Sequence, residues 1–470
     1  EALGATAVTT EQAIAGRGKL SNYYRPIQMS VYALIHQVFG YNPAVYHVAN
    51  IIGHISSALA LLWFITKLTA SGILHPLPRD LSFVARVKRD AKEEALAKWG
   101  LLPTFIFLIH PLQTEAVSYI SGLSDPLVAL FGFLALALFL KSKNRPTFLL
   151  LSLLSFILSL LSKEIGLAFF GILFLLIILK KRPLISLLPF FLSSVIYLLF
   201  HVQNINVLDM SKVWASTPYG TNIVIRIATF IQNIFLYLGL FFFPKNLHME
   251  RDLTTPIQYS LLNIYSVSFM ILLGLALFSF WKKRSEERTV LQFFAFAGFF
   301  MTLLPYSGIV LINGIFYEHF LYIPIAFLSL FLCVTIQPLN KKVVFFVLCL
   351  LLISRSYLRQ YEWIDPIRFY TQTLSFAPDS LRIRNGLGMA YIDLKEYDKA
   401  LMTFDDKITH SSTIPNSYHN KGNIFTLQKN LRMQNRCIEK PLKSTHPSPF
   451  PSSPSSSYIK NQTKLKNLRS

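Results

Sequence analysis

The stretch HPLQTEAVSYISGLSDPLVALFGFLALALFLKSKNRPTFLLLSLLSFILSLLSKEIGLAFFGILFLLIILKKRP, His110 to Pro183, decides the fold. It holds three apolar runs, at 126–140, 147–161 and 165–179, split by two kinds of break. One break is basic (141–145, then 180–182). The other is acidic and mixed (His110 to Asp125, then Lys163 and Glu164). Apolar runs of this length, parted by breaks that alternate in charge, describe helices passing back and forth through hydrocarbon.

Working outward, further apolar runs occur at 45–66, 100–109, 184–200, 262–281, 291–312, 319–337 and 343–354. Hydrophobic residues make up 53% of the chain and the mean hydropathy is +0.44, which excludes a soluble protein. The net charge of +21 does not point to nucleic acid, because the basic residues lie in short loops between apolar runs. Those loops are 67–98 (Lys67, Arg79, Arg86, Lys88, Arg89, Lys92, Lys98), 141–145, 180–182, 282–288 and 341–342, and all five read as cytoplasmic. The count of crossings between them stays consistent only if one run between 182 and 282 does not cross. Thr221–Phe243, interrupted by Arg226, Gln232 and Asn233, reads as that interfacial or re-entrant helix. Cys333 and Cys349 fall in apolar runs and Cys437 in a polar tail, so they form neither a disulfide framework nor a metal spacing.

The opposite, non-cytoplasmic edge then collects three polar stretches: His110 to Pro126, Leu161 to Glu164, and YEHFLYIP from Tyr317 to Pro324. Charge beside hydrocarbon is expensive, so its repetition on one edge points to a site. Glu115 and Asp125 are the acids of the first stretch. Asp125 before Pro126 is also an ordinary helix start, an alternative that Glu115 lacks. Lys163 is suited to a phosphate, or else it snorkels and pairs locally with Glu164. Glu318 and His319 have either Lys163 or Arg251 as partner. His47, Asn50 and His54 share one helix face, where bonding between helices is the simpler role and metal ligation the other. Pro26–Phe39 carries an apolar stripe (Ile27, Val31, Leu34, Ile35, Val38, Phe39) and reads as a helix in the interface plane.

Beyond the last span the pattern changes. Gly388 to Gly422 and Tyr391 to Phe425 are each 34 residues apart, and so are Tyr370 and Phe404; this is the tetratricopeptide period. Trp363–Ala377 reads as the second helix of an earlier unit. After Gln428 the period is lost. The tail 429–470, with nine Lys/Arg against one Glu, reads as disordered or out of frame. The expected organisation is a polytopic, all-α transmembrane bundle over 1–358, tetratricopeptide repeats over 359–428 as a short α-solenoid, and that tail.

The series NYYRPIQM, YNPAVYHVANIIGH, HPLQTEAVSYISGLSDPL, LSKEIG and YEHFLYIP, followed by the repeat, resembles the transmembrane-and-TPR group of protein O-mannosyltransferase-like proteins of the GT-C superfamily. The resemblance covers residues 20–425. It implies a membrane glycosyltransferase that moves a sugar, mannose foremost, from a polyprenyl-phosphate carrier to a hydroxyl acceptor at the non-cytoplasmic face. The membrane would be a bacterial inner membrane or the endoplasmic reticulum. Such a transfer needs a base for the acceptor and cations for the departing phosphate.

In this family the acidic motif follows a first transmembrane helix and precedes the element matched here by Tyr24, Arg25 and Pro26, so the chain reads as lacking that helix. Neither Glu1 nor Glu11 matches the motif, and the catalytic residue is unassigned. The residues expected to contact the lipid phosphate or substrate are Tyr24, Arg25, His47, His54, His110, Glu115, Asp125, Lys163, Glu164, Arg251, Glu318 and His319. Two departures from the family pattern stand out: Leu123 in Gly122-Leu123-Ser124-Asp125 and His319 after Glu318, each where an arginine is frequent. No cofactor or metal is expected. The expected partners are membrane lipid, the lipid-linked donor, and a protein met through the repeats. The alternative class is a non-catalytic membrane scaffold that presents the repeats. A transporter is disfavoured, because polar residues crowd one edge instead of the midplane.

Overall fold

The computed structural model describes residues 24–70, 100–142, 145–204, 217–312, 314–336 and 342–408. Glu1, Glu11, most of the 67–98 basic cluster, Cys437, the second-repeat residues Gly422 and Phe425, and the tail all lie outside the described residues. Among the described residues every regular element is helical, and the chain divides into two compact units between Ala377 and Pro378.

The first unit contains α1 (Pro26–Phe39), α2 (Pro43–Ala70), α3 (Gly100–Ile109), α4 (Ser124–Lys141), α5 (Pro146–Ser162) and α6 (Ala168–Leu179). It continues with α7 (Leu188–Asn204), α8 (Ile223–Phe242), α9 (Ile264–Lys283), α10 (Glu287–Leu303), α11 (Pro324–Ile336), α12 (Lys342–Ile364) and α13 (Pro366–Phe376). Six helical stretches among the described residues are long and apolar enough to cross a membrane: 43–70, 120–141, 184–201, 223–242, 264–283 and 287–306. The chain is therefore a multi-pass membrane protein. Short 3-10 turns at Pro111–Gln113, Ile120–Leu123, Glu164–Leu167 and Glu318–Leu321 punctuate the polar stretches.

Within hydrocarbon, helices associate through close packing and hydrogen bonds between them, since lipid tails are as apolar as leucine. The α4–α5 pair uses both means. Ser152 and Ser159 on α5 donate to the carbonyls of Ala135 (2.7 Å) and Val128 (3.0 Å) on α4. Phe133 on α4 then meets Phe64, Phe107, Phe169 and Phe327, from four other helices, at ring distances of 5.5–6.4 Å. The glycine beside it is required: a Cβ on Gly132 would lie 2.1 Å from the Phe169 ring.

Helix α8 is one of these six stretches, and its polar side chains bond to other segments. Arg226 donates to the carbonyl of Gly308, Asn233 to that of Ile315 and Tyr237 to that of Tyr317, while His110 stacks on Phe241. These bonds tie α8 to the 308–317 segment and to His110. The residues that seem to interrupt it face inward: Gln232 and Asn233 are buried, and Gln232 donates to the carbonyl of Pro256 at 2.7 Å. Helix α12, expected to end near 354, runs ten residues further.

In the second unit α14 (Leu381–Asp393) and α15 (Tyr397–Ile408) form a helical hairpin. Phe404 lies against Gly388 so closely that a Cβ there would be 2.3 Å from the ring, the close approach for which a small residue is needed.

Candidate functional site

The three polar stretches meet at one end of the bundle. Lys163 ends α5 with an extended backbone, which swings its side chain off the helix. Its Nζ lies 2.6 Å from Asp125 Oδ1, and both side chains are buried. Asp125 occupies the first turn of α4, where the helix dipole favours negative charge. Its carboxylate is not a cap, and Lys163 does not pair with its neighbour Glu164. Glu164 turns instead to Arg25, just ahead of α1 (Nη2–Oε1 2.9 Å), and Arg25 also reaches Ser124 Oγ at 3.3 Å. This second pair is the more open one, at 18% and 38% exposed. Tyr24 packs its ring on Phe200 of α7 at 5.0 Å. One turn apart on α7, Tyr197 and His201 are within electrostatic reach of Arg25 and Glu164, and the Tyr197 hydroxyl and His201 Nδ1 are buried with no hydrogen-bond partner among the described residues.

A second group surrounds Glu318, which is fully buried. Its Oε1 accepts from the His248 amide (2.7 Å) and Arg251 Nε (2.9 Å), and its Oε2 from Arg359 Nη2 (3.3 Å). Arg251 is thus the partner of Glu318, and Lys163 is not. Burial raises the Glu318 carboxyl above its ordinary value, with Arg359 and Arg251 pulling the other way. Arg359, also buried, donates to the carbonyl of Leu247 (2.8 Å) and to Glu362 (2.6 Å). Arg355 one turn earlier donates to the carbonyl of Pro244 at 2.9 Å. Both arginines escaped the sequence reading. Their signal is present, however: Arg355, Arg359 and Glu362 fall on one face of a helix that continues straight out of an apolar run.

His319 joins Glu115 instead of a cation. Its Nδ1 is 2.8 Å from Glu115 Oε1 and its backbone N–H donates to Oε2 at 3.1 Å. Burial works to raise the Glu115 carboxyl, but the ring and amide of His319, with the charge of Arg359, hold it below the ordinary value. Phe320 links the two groups, because its ring stacks on Tyr306 at 3.8 Å and Tyr306 is within electrostatic reach of Asp125, Glu164 and Arg25.

The histidines divide by depth. His54 Nδ1 bonds the Tyr322 hydroxyl (2.6 Å) and its Nε2 the carbonyl of Leu108 (3.1 Å), while Asn50 donates to the carbonyls of Val117 and Tyr119. These bonds tie α2 to its neighbours. His47, higher on the same helix and half-buried, makes no side-chain hydrogen bond among the described residues and is not drawn into the cluster. His110 is buried between Phe241, on whose ring it stacks, and the amide of Leu112. Burial pushes its imidazole down to about 4, against the opposing bond to the Phe241 carbonyl.

At the other end of the bundle the cations behave differently. Arg182 donates to the carbonyls of Phe139 (2.8 Å) and Leu140 (3.1 Å), which are the last carbonyls of α4. Lys141 lies over the rings of Phe148 and Trp63, and Arg288 donates to the carbonyls of Val334 and Thr335.

The first end thus combines a partly open ion pair, buried charge held in place, and an imidazole on a carboxylate. No family model matches the chain, and no solved structure does. Among curated proteins, it is similar to a protein O-mannosyl-transferase of Caenorhabditis elegans, 25% identical over 381 residues, which are 78% of this chain and 50% of the relative. It is also similar to protein O-mannosyl-transferase TMTC1 of Homo sapiens, 29% identical over 173 residues (33% of this chain, 17% of the relative), and to that of Mus musculus, 29% over 161 residues (32% and 14%). The chain spans about half the length of the nematode relative.

Proposed function

We propose that this chain is the membrane-embedded part of an inverting glycosyltransferase, moving a sugar, mannose foremost, from a polyprenyl phosphate to a hydroxyl of a protein acceptor on the non-cytoplasmic face. The observation that carries this reading is the meeting of Arg25, Asp125, Lys163 and Glu164 at one bundle end, with Arg25 and Glu164 in contact across 139 positions of sequence. Four charged groups brought from three separate segments to the edge of hydrocarbon cost desolvation that packing does not require. A lipid phosphate lies at this depth, and a planar guanidinium binds it through two bonds at once. Lys163 adds a fixed charge behind it, where the leaving phosphate collects electrons. The relatives named protein O-mannosyl-transferase support the same chemistry and a protein acceptor. The cations at the opposite end support the sidedness, since such clusters favour the cytoplasm.

The test is transfer of labelled mannose from polyprenyl-phosphate mannose to an acceptor peptide by the full-length protein in proteoliposomes. Arg25→Gln is expected to lower kcat/KM at least about 100-fold, the scale of one lost charge-assisted contact to a departing oxyanion. Arg25→Ala combined with Lys163→Ala is expected to abolish transfer. Unchanged turnover in both would remove this site from consideration.

A further inference from the structure

We infer that Tyr197 and His201, one turn apart on α7, form the subsite that recognises the sugar of the lipid-linked donor, with hydroxyls of the sugar ring bonded to Tyr197 Oη and His201 Nδ1. This rests on the transferase reading above and adds the residues that tell the sugar-bearing lipid from the bare phosphate.

Two polar atoms folded in without partners point to a ligand here. Tyr197 is 7% exposed, and neither its hydroxyl nor His201 Nδ1 makes a hydrogen bond among the described residues. A buried polar atom left unpaired is expensive, and two of them one turn apart call for a cause that packing does not supply. The rest of α7 shows that these side chains are inward by design of the sequence. Phe191, Leu192, Ile196 and Leu199 are 49–67% exposed, as suits a helix bordered by lipid. Ser194, Tyr197 and His201 fall at i, i+3 and i+7, on the other face. Ser194 is satisfied within α7 by the carbonyl of Phe190 at 2.8 Å, which leaves the tyrosine and the histidine.

Their surroundings fit a sugar joined to a phosphate. Both are within electrostatic reach of Arg25 and Glu164, the partly open ion pair. The two rings lie 5.4 Å apart, close enough for one pyranose to touch both. Tyr306, in the turn after α10, brings a further phenol within reach of the same pair. In a polyprenyl-phosphate donor the sugar is bonded directly to the phosphate, so a phosphate held by Arg25 delivers the sugar to this wall.

The match of donors and acceptors favours the sugar over the phosphate as occupant. Every sugar hydroxyl both donates and accepts. Tyr197 Oη does the same, and His201 Nδ1 does one or the other according to its tautomer, so either tautomer finds a partner. A phosphate oxygen only accepts, and its charge is met better by the Arg25 guanidinium.

The test uses the full-length protein in nanodiscs and two probes, polyprenyl phosphate and polyprenyl-phosphate mannose, with Kd read by displacement of a fluorescent polyprenyl phosphate. Wild type is expected to bind the mannosylated lipid more tightly. Tyr197→Phe and His201→Phe are each expected to weaken that lipid about 10-fold, while Kd for the bare phosphate stays within about threefold. Arg25→Gln should weaken both probes alike. Because Tyr197→Phe removes only an unpaired hydroxyl, its unfolding midpoint should match or exceed that of wild type. A clear drop would show a partner inside the fold and overturn the subsite. Parallel weakening of both lipids in Tyr197→Phe, or no change in either, would overturn it as well. Equal affinity of the wild type for the two probes would do the same and leave the transferase reading intact, whereas a wild type that binds neither probe and transfers no sugar would defeat both. Should the variants not fold, a donor carrying a diazirine on its sugar decides on wild type. Crosslinks mapped to 197–201 support the subsite, and crosslinks confined to other segments refute it.

Discussion

At the end of the bundle where Arg25, Lys163, Arg251 and Arg359 gather, each cation faces a carboxylate. At the end where Lys141, Arg182 and Arg288 gather, the cations face backbone carbonyls and ring faces. The difference lies in what each end must do. Cations on the closing carbonyls of a helix complement its dipole and keep their heads near water, which costs little. Carboxylates drawn in beside hydrocarbon, with partners from distant helices, are expensive even when paired. Stability alone explains the Arg182 end, whereas the Arg25 end asks for a function.

The sharpest way to break this comparison is to remove one half of the buried pair. Asp125→Ala leaves the buried Lys163 ammonium without its hydrogen-bonded counter-charge, with only the Arg25-bound Glu164 in electrostatic reach, and the expected loss is about 3–5 kcal/mol of stability. Equilibrium unfolding in detergent measures it, with Asp125→Ala/Lys163→Met expected to recover much of the loss because no charge remains buried. A single variant within about 1 kcal/mol of wild type would mean that Lys163 reaches water, and the two ends would then differ less than their contacts suggest.

How much of this was legible in the sequence follows from the same physics. Exclusion of charge from hydrocarbon is a one-dimensional rule, so it located His110–Pro126, Leu161–Glu164 and Tyr317–Pro324 on one edge. The structure brings all three to one end. Pairing is a three-dimensional matter. Nothing in the spacing says that Lys163 passes over adjacent Glu164 to reach Asp125, or that Glu318 takes Arg359 as well as Arg251. In helix α8, Gln232 and Asn233 look like interruptions in a linear reading, but on a helix they share an inward face and are bonded there. Tyr197 and His201 passed unnoticed because an apolar run absorbs two polar residues one turn apart without changing its average.

A second break uses acid, since the site end carries buried imidazole while the cations named at the other end are lysine and arginine. His110 is held at about 4 in the fold against about 6.5 in an unfolded chain. As pH falls below 6.5 the unfolded chain takes the proton first, so this stability, fully present above 6.5, is lost on the way down to 4. The expected decline is about 3 kcal/mol across that window. His248, which burial and then Arg251 and Arg359 push down to about 3, acts in the same direction. Unfolding free energy measured against pH should therefore slope downward below 6.5, and His110→Gln should flatten the slope. An unchanged slope in that variant would move the acid sensitivity away from the site end.

The smallest effect belongs to the far end. Arg182→Ala gives up two carbonyl contacts, a bond to Ser142 Oγ and the favourable dipole term at the close of α4, but it strands no buried charge, and the buried Phe139 carbonyl keeps its bonds from Ser142. The expected cost is about 1 kcal/mol, read by the same unfolding measurement as Asp125→Ala. The ratio between the two variants tests the contrast directly. If Arg182→Ala proved as damaging as Asp125→Ala, the far end would hold charge under the same strain as the site end, and expensive charge would no longer distinguish a working site.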